Sequence, residues 1–240
     1  MKFKLFKKST ISNMMSAADK TRVRTIISNQ CQEGFQKIAF EYMVDKFESS
    51  VLSNGKADWL DIATGSGITK SISGICFIIY ASITAPWNAY GIGALFKHQL
   101  KAVGDLFSII FRKVGETLNK QKADFVKIKT INKSQVKVEV LGKNCAVIYF
   151  CEYNETYSEE YDKIDVLYLH DVLGFTGVRF QRTLLMTKAF FCLNISEYSV
   201  SNNQDEVDEL YSNQEGDLSP CYEYTFWYPR RAALVFKDEV

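Results

Sequence analysis

The sequence predicts an α+β fold, with an N-terminal helical half packed on an antiparallel sheet whose elements run strand-strand-helix-strand-strand. Three observations carry this prediction. Apolar residues recur at three- and four-residue steps through the first half, the period changes to two near Asp124, and a second helical stretch interrupts the later strands. We read residues 1–240 as a single domain, with a helical subdomain at about 10–120 and an α+β subdomain at about 121–240.

With 240 residues, 47% hydrophobic and 24% charged, the chain has the make-up of a globular protein able to bury a core. Its net charge of +1 offers no broad field of one sign, so no nucleic-acid partner is expected. The six cysteines form no C-x-x-C pair, and the N-terminal M-K-F-K-L-F-K-K lacks the apolar stretch of a signal peptide. Both features favour a reducing, cytoplasmic setting. A zinc site normally shows two close ligand pairs, so the cysteines are expected as small core hydrophobes rather than metal ligands.

The elements follow in order. Ser12 to Gln30 reads as a short polar helix. Phe35, Ile38, Ala39, Tyr42, Met43, Phe47 and Val51 form one apolar stripe that ends at Asn54-Gly55. The next stretch, W-L-D-I-A-T-G-S-G-I from Trp59 to Ile68, has two readings. It matches the loop with which S-adenosylmethionine-dependent methyltransferases open their cofactor site, or it is a short helix stopped at Gly65 or Gly67. A methyltransferase needs strands and helices alternating throughout, and an acidic residue on a second strand to hold the ribose. Residues 68–96 contain no Asp or Glu, so the helix stop is preferred.

Ser71 to Phe96 carries no formal charge. A bilayer span needs about 20 apolar residues, but serines, glycines and Pro86 dilute this one. Two short buried helices broken near Pro86 are expected, with membrane association through residues 71–96 as the alternative. Ile92, Leu95, Phe96, Leu100 and Val103 continue a helical pattern to Gly104-Asp105, and a further helix runs from about Leu106 to Leu118. Then F-V-K-I-K-T-I, Q-V-K-V-E-V and C-A-V-I-Y-F-C read as three strands, with N-K-S turning between the first two. The third strand, apolar throughout, should be central. Tyr161 to about Met186 returns to helix, with Ile164, Leu167, Tyr168, Val172 and Leu173 on one face. F-F-C-L-N-I-S-E-Y and C-Y-E-Y-T-F-W-Y are two closing strands on either side of an acidic loop, and A-A-L-V-F adds a short last strand.

Three stretches carry a family resemblance: Tyr90 to Asn119, Val147 to Gly174, and G-D-L-S-P-C-Y-E-Y-T-F-W-Y from Gly216 to Tyr228. In this order they resemble the superfamily of heme-based nitric oxide/oxygen sensor domains, four-vinyl-reductase-type ligand-binding domains and TRAPP vesicle-transport subunits. The heme-sensor branch implies a proximal histidine where this chain has Leu118-Asn119, and a tyrosine–serine–arginine signature that it lacks. Heme is therefore not expected, since an amide does not ligate iron as imidazole does. The four-vinyl-reductase-type branch implies a non-catalytic, homodimeric cytoplasmic sensor domain for signalling, without a cofactor. It would bind a small apolar molecule or lipid between helices and sheet. Its lining would be Phe77, Tyr80, Trp87, Tyr90, Phe107 and Phe111, side chains equally suited to filling a core.

Other chemistry is sparse. His98 and His170 read as surface residues of helices. Glu152, Glu155, Glu159, Glu160 and Asp162 read as a solvated helix start capped by Ser158. No serine or cysteine nucleophile stands beside a histidine in a motif, so no catalytic residue and no metal ligand is assigned.

Overall fold

A computed structural model describes residues 15–32, 34–52, 58–63, 70–85, 89–94, 96–132, 134–152, 164–170, 191–196, 221–226 and 231–236. The elements are α1 (Ala17–Ser28), α2 (Gly34–Leu52), β1 (Asp58–Ala63), α3 (Lys70–Thr84), β2 (Ala89–Ala94), α4 (Lys97–Gln121), β3 (Val126–Asn132), β4 (Gln135–Val140), β5 (Lys143–Glu152), β6 (Val166–His170), β7 (Phe191–Ser196), β8 (Cys221–Phe226) and β9 (Arg231–Phe236). Among the described residues nine strands form one mixed sheet in the order β3-β4-β5-β2-β6-β7-β1-β9-β8.

The expected combination of helices with a sheet is present, and the β3–β4–β5 segment is antiparallel as expected. The centre of the sheet is different: β5, β2, β6, β7, β1 and β9 all run parallel. Several local expectations change with it. Asp58 to Ala63 is a strand and not the end of a helix. Ala89 to Ala94 is a strand whose residues are all buried, which is why its apolar run imitated a helix stripe. Val166 to His170 is likewise a strand within the stretch expected as helix; residues 161–163 and 171–186 of that stretch and the acidic loop lie outside the described residues. Gly104-Asp105 does not break a helix. α4 runs through it, burying Val103, Phe107, Ile110, Phe111, Val114 and Leu118 at helical spacing, and this burial outweighs the roughly 1 kcal/mol cost of an interior glycine.

Local chemistry accounts for the remaining ends. The Ser16 hydroxyl accepts from the Asp19 amide at 3.0 Å and caps α1. Leu141 and Gly142, both with positive φ, turn β4 into β5 as a two-residue hairpin loop. Asn119 pairs with both backbone groups of Val126, at 2.9 and 3.0 Å, fastening the end of α4 to β3.

α3 lies at the centre. It is apolar on every side and buried from Ile75 to Ile83, as a helix without a polar face must be. One side rests on the sheet, where Gly74 meets the Tyr168 ring on β6. Its other sides are covered by α1, α2 and α4. Phe47 and Phe77 meet edge to face at 5.3 Å, and so do Phe40 and Tyr80 at 6.2 Å. The hydroxyls carried inside are bonded: Ser73 donates to the Gln36 carbonyl at 3.0 Å, Thr84 to the Tyr80 carbonyl at 2.8 Å, and Tyr90 to the Ala81 carbonyl at 2.9 Å. Arg24 on α1 joins the outer layer to α2 through Glu41 and Asp45, the latter at 2.7 Å.

Two stability predictions follow from the packing of α3. A β-carbon on Gly74 would stand 2.4 Å from Tyr168 Cε2, so Gly74→Ala should lower unfolding free energy by about 1–3 kcal/mol. In urea titrations the loss should persist with Tyr168→Phe and shrink with Tyr168→Leu; a neutral Gly74→Ala would contradict the close approach. The Tyr80 hydroxyl donates to Glu48 at 2.5 Å, and burial first, then Glu48, holds its pKa well above the ordinary value. A pKa raised in the fold contributes stability in full below the unfolded pKa of about 10, and the contribution is lost as pH rises beyond it. Between pH 9 and 11 the wild type should therefore lose more stability than Tyr80→Phe.

Candidate nucleotide-phosphate site

The parallel strands end level with one another. Ala94 of β2 pairs with His170 of β6, His170 with Ile195 of β7, and Ala63 of β1 with Ser196 of β7 and Val235 of β9. In open α/β sheets ligands bind outside this carboxyl edge. α3 begins at Lys70, shortly after β1 ends at Ala63, so its N-terminus stands at that edge. A helix N-terminus presents unpaired N–H groups and the positive end of its dipole, and the first turn of α3 carries no acidic residue to occupy them.

Ser71, in that first turn, is buried, and its Oγ lies 3.2 Å from Nδ1 of His170, the last residue of β6. The Tyr168 hydroxyl lies 3.3 Å from the same nitrogen. Strand alternation explains the grouping: Tyr168 and His170 point to the α3 face, and Leu167 points to the opposite face beside Gly91. His170 is therefore not a surface residue of a helix. It is the strand-end partner of the helix that follows β1.

The stretch linking β1 to this helix reads T-G-S-G-I-T-K-S from Thr64 to Ser71. The phosphate-binding loop pattern is glycine, four residues, glycine, lysine, then serine or threonine, between a strand and a helix. Lys70 and Ser71 stand at its last two places; Thr64 and Thr69 stand where its glycines would be, with Gly65 and Gly67 between. Residues 64–69 lie outside the described residues. The signal was present in the sequence, but it was hidden by reading the glycines as ending at Gly67 and the preceding residues as helix. A helix N-terminus at such an edge can receive a polyphosphate, whose charge meets the helix end.

The methyltransferase reading is corrected by the same topology. A dinucleotide-binding half places its second strand beside the first. Here β2 is separated from β1 by β6 and β7, so no ribose-binding acid on β2 could reach the loop after β1. The membrane alternative is also corrected: Ser71 to Thr84 belong to a buried helix and Ala89 to Ala94 to a sheet strand, and no helix among the described residues is long and apolar enough to cross a membrane.

The residues expected to line an apolar pocket are placed plainly. Phe77, Tyr80, Tyr90, Phe107 and Phe111 sit in the buried core cluster, where Phe107 touches Phe111 at 5.6 Å and Phe150 at 5.5 Å. Trp87 lies outside the described residues. His98 is exposed and stacks on Phe96 at 5.6 Å. Among the described residues no group of three or more His, Cys, Asp or Glu could hold a metal ion.

No protein-family model and no curated protein matches the chain. Among solved structures, the HK97 bacteriophage large terminase is similar over 82% of this chain and 42% of its own, with a TM-score of 0.51 and 15% identity. A large terminase from a thermophilic bacteriophage, in complex with ADP, matches over 80% of this chain and 44% of its own, at TM-score 0.44 and 12% identity. A large terminase ATPase domain from a Thermus phage matches over 61% of this chain and 63% of its own, at TM-score 0.43 and 11% identity. The chain thus spans less than half the length of the first two of these terminases.

This likeness, one of fold, overturns the resemblance to heme-sensor, four-vinyl-reductase-type and TRAPP proteins. That resemblance rested on an antiparallel order that the parallel centre replaces. The expectations drawn from it fall as well: a non-catalytic signalling sensor, a small apolar or lipid ligand and a homodimer built for sensing. The exclusions of enzymatic activity and of nucleic acid, read from missing motifs and the net charge of +1, fall with them. Asn119, at the place of the missing heme ligand, fastens backbone instead.

Removing the Ser71 hydroxyl tests the grouping. Ser71→Ala should cost about 1 kcal/mol in urea unfolding, the worth of one buried hydrogen bond. It should also shift the His170 ring resonances in NMR; unmoved resonances would show that the pair does not form.

Proposed function

We propose that this chain is a nucleoside-triphosphate-binding and hydrolysing domain of the phosphate-loop class, of the kind a large terminase carries, with the triphosphate seated at the N-terminus of α3. One observation carries the reading: Lys70 and Ser71 open a buried helix at the carboxyl edge of parallel strands, directly after a glycine-rich stretch, with Ser71 bonded to the end of β6. The fold shared with the HK97 large terminase supports it. In this site the α3 backbone N–H groups receive phosphate oxygens, Lys70 neutralises their charge, and Ser71 marks where the β6 end meets the bound group. The buried thiols of Cys31 and Cys76, joined in no disulfide, support a reducing, cytoplasmic setting.

Equilibrium dialysis with radiolabelled ATP tests the site. Wild-type chain should bind, and Lys70→Ala should weaken binding tenfold or more without changing the unfolding midpoint. Equal binding by the two proteins would sink this reading.

A further inference from the structure

His170 joins the end of β6 to the helix that carries the candidate site. Its Nδ1 lies 3.2 Å from Ser71 Oγ and 3.3 Å from the Tyr168 hydroxyl. Ser71 is buried, so its hydroxyl bonds to neighbouring groups rather than to bulk water. Tyr168 is itself fixed, because its ring fills the space beside Gly74. The imidazole is thus held against Ser71 by packing that begins one helical turn away.

A serine hydroxyl has a single proton to donate and lone pairs with which to accept. A phosphate oxygen accepts only, so a Ser71 hydroxyl that meets one must direct its proton there. What then remains toward His170 is a lone pair, and the ring nitrogen that bonds to a lone pair is one that carries a proton. We propose that His170 is a positioning residue for the nucleotide: with the triphosphate in place, Nδ1–H donates to Ser71 Oγ, and this turns the Ser71 proton onto a phosphate oxygen. This rests on the nucleotide-site reading above. The Tyr168 hydroxyl, at the same nitrogen, helps to hold the ring toward Ser71. The imidazole acts on the phosphate through Ser71 alone.

The test uses the full chain with ¹⁵N in its two histidines, and His98→Gln assigns the His170 signals. At saturating ATP the His170 Nδ1 resonance should stand at its protonated position. Equilibrium dialysis with radiolabelled ATP supplies the second readout. Ser71→Ala and His170→Ala should each weaken binding about tenfold, the worth of one hydrogen bond that ends on a charged group. The double variant should bind no more weakly than either single one, because the two residues act as one unit. His170→Asn, whose amide can donate from the place of Nδ1, should stay within about twofold of wild type. An Nδ1 without a proton in the ATP complex overturns the inference and leaves the nucleotide site standing. So do unchanged binding by His170→Ala and single losses that multiply in the double variant. No ATP binding by wild type overturns the nucleotide reading itself. Should His170→Ala fail to fold, His170→Asn and His170→Gln are compared: the glutamine amide reaches past the Nδ1 position, and equal binding by the two overturns the inference.

Discussion

Gly74 has no side chain, and the ring of Tyr168 occupies the space that a β-carbon there would need, 2.4 Å from Cε2. This close approach lets α3 lie flat against β6 instead of standing off by the width of a side chain. One turn earlier on the helix, the same approach brings Ser71 over His170. The candidate site is therefore set by packing some residues away from it. α3 has no polar face to offer solvent, so α1, α2 and α4 must cover it, and the three-layer arrangement follows from its composition.

Several polar groups taken into this core meet partners that the helix order supplies. Tyr80 reaches Glu48 on α2, Ser73 reaches the Gln36 carbonyl, and Tyr90 reaches back to the Ala81 carbonyl. At the opposite edge of the sheet from the site, Asp165 is buried and accepts from the Ala89 amide at 3.1 Å, while its own amide donates to the Ala89 carbonyl at 2.8 Å. This double contact pins the start of β6 to the start of β2. With the register pinned at one end, the strand ends at Ala94 and His170 come out level at the other. Order at the amino edge and geometry at the carboxyl edge are thus one constraint, because a strand shifted by one residue would turn Tyr168 and His170 to the wrong face.

Reading the chain without its fold goes wrong at definite residues. Y-G-I-G-A-L-F joins a fully buried strand to a helix start, and its apolar positions satisfy either period. W-L-D-I-A, as a central strand, has no alternation to distinguish it from a helix turn. With both strands taken for helix, the sheet begins near residue 124 and runs antiparallel, and a sensor-like order follows. The later strands fare better, since F-V-K-I-K-T-I and Q-V-K-V-E-V alternate with lysine and show one side to solvent. Of the site, Lys70 and Ser71 are visible as letters after a glycine-rich run, while Thr64 and Thr69 disguise the pattern. His170, ninety-nine positions from Ser71, has no local signal at all.

What the sequence by itself determined are the properties that depend on near neighbours: the apolar stripes of α2 and α4, the lysine-alternating hairpin, the closing strands, and an uncharged segment that had to be buried. These follow from spacing along the chain, where side-chain direction repeats every two or every 3.6 residues. Only the tertiary structure decided which strands are parallel, that β6 and β7 come between β1 and β2, and that an imidazole faces Ser71. Those facts depend on the order of strands in space, and a buried parallel strand carries the same apolar run wherever in the sheet it is placed.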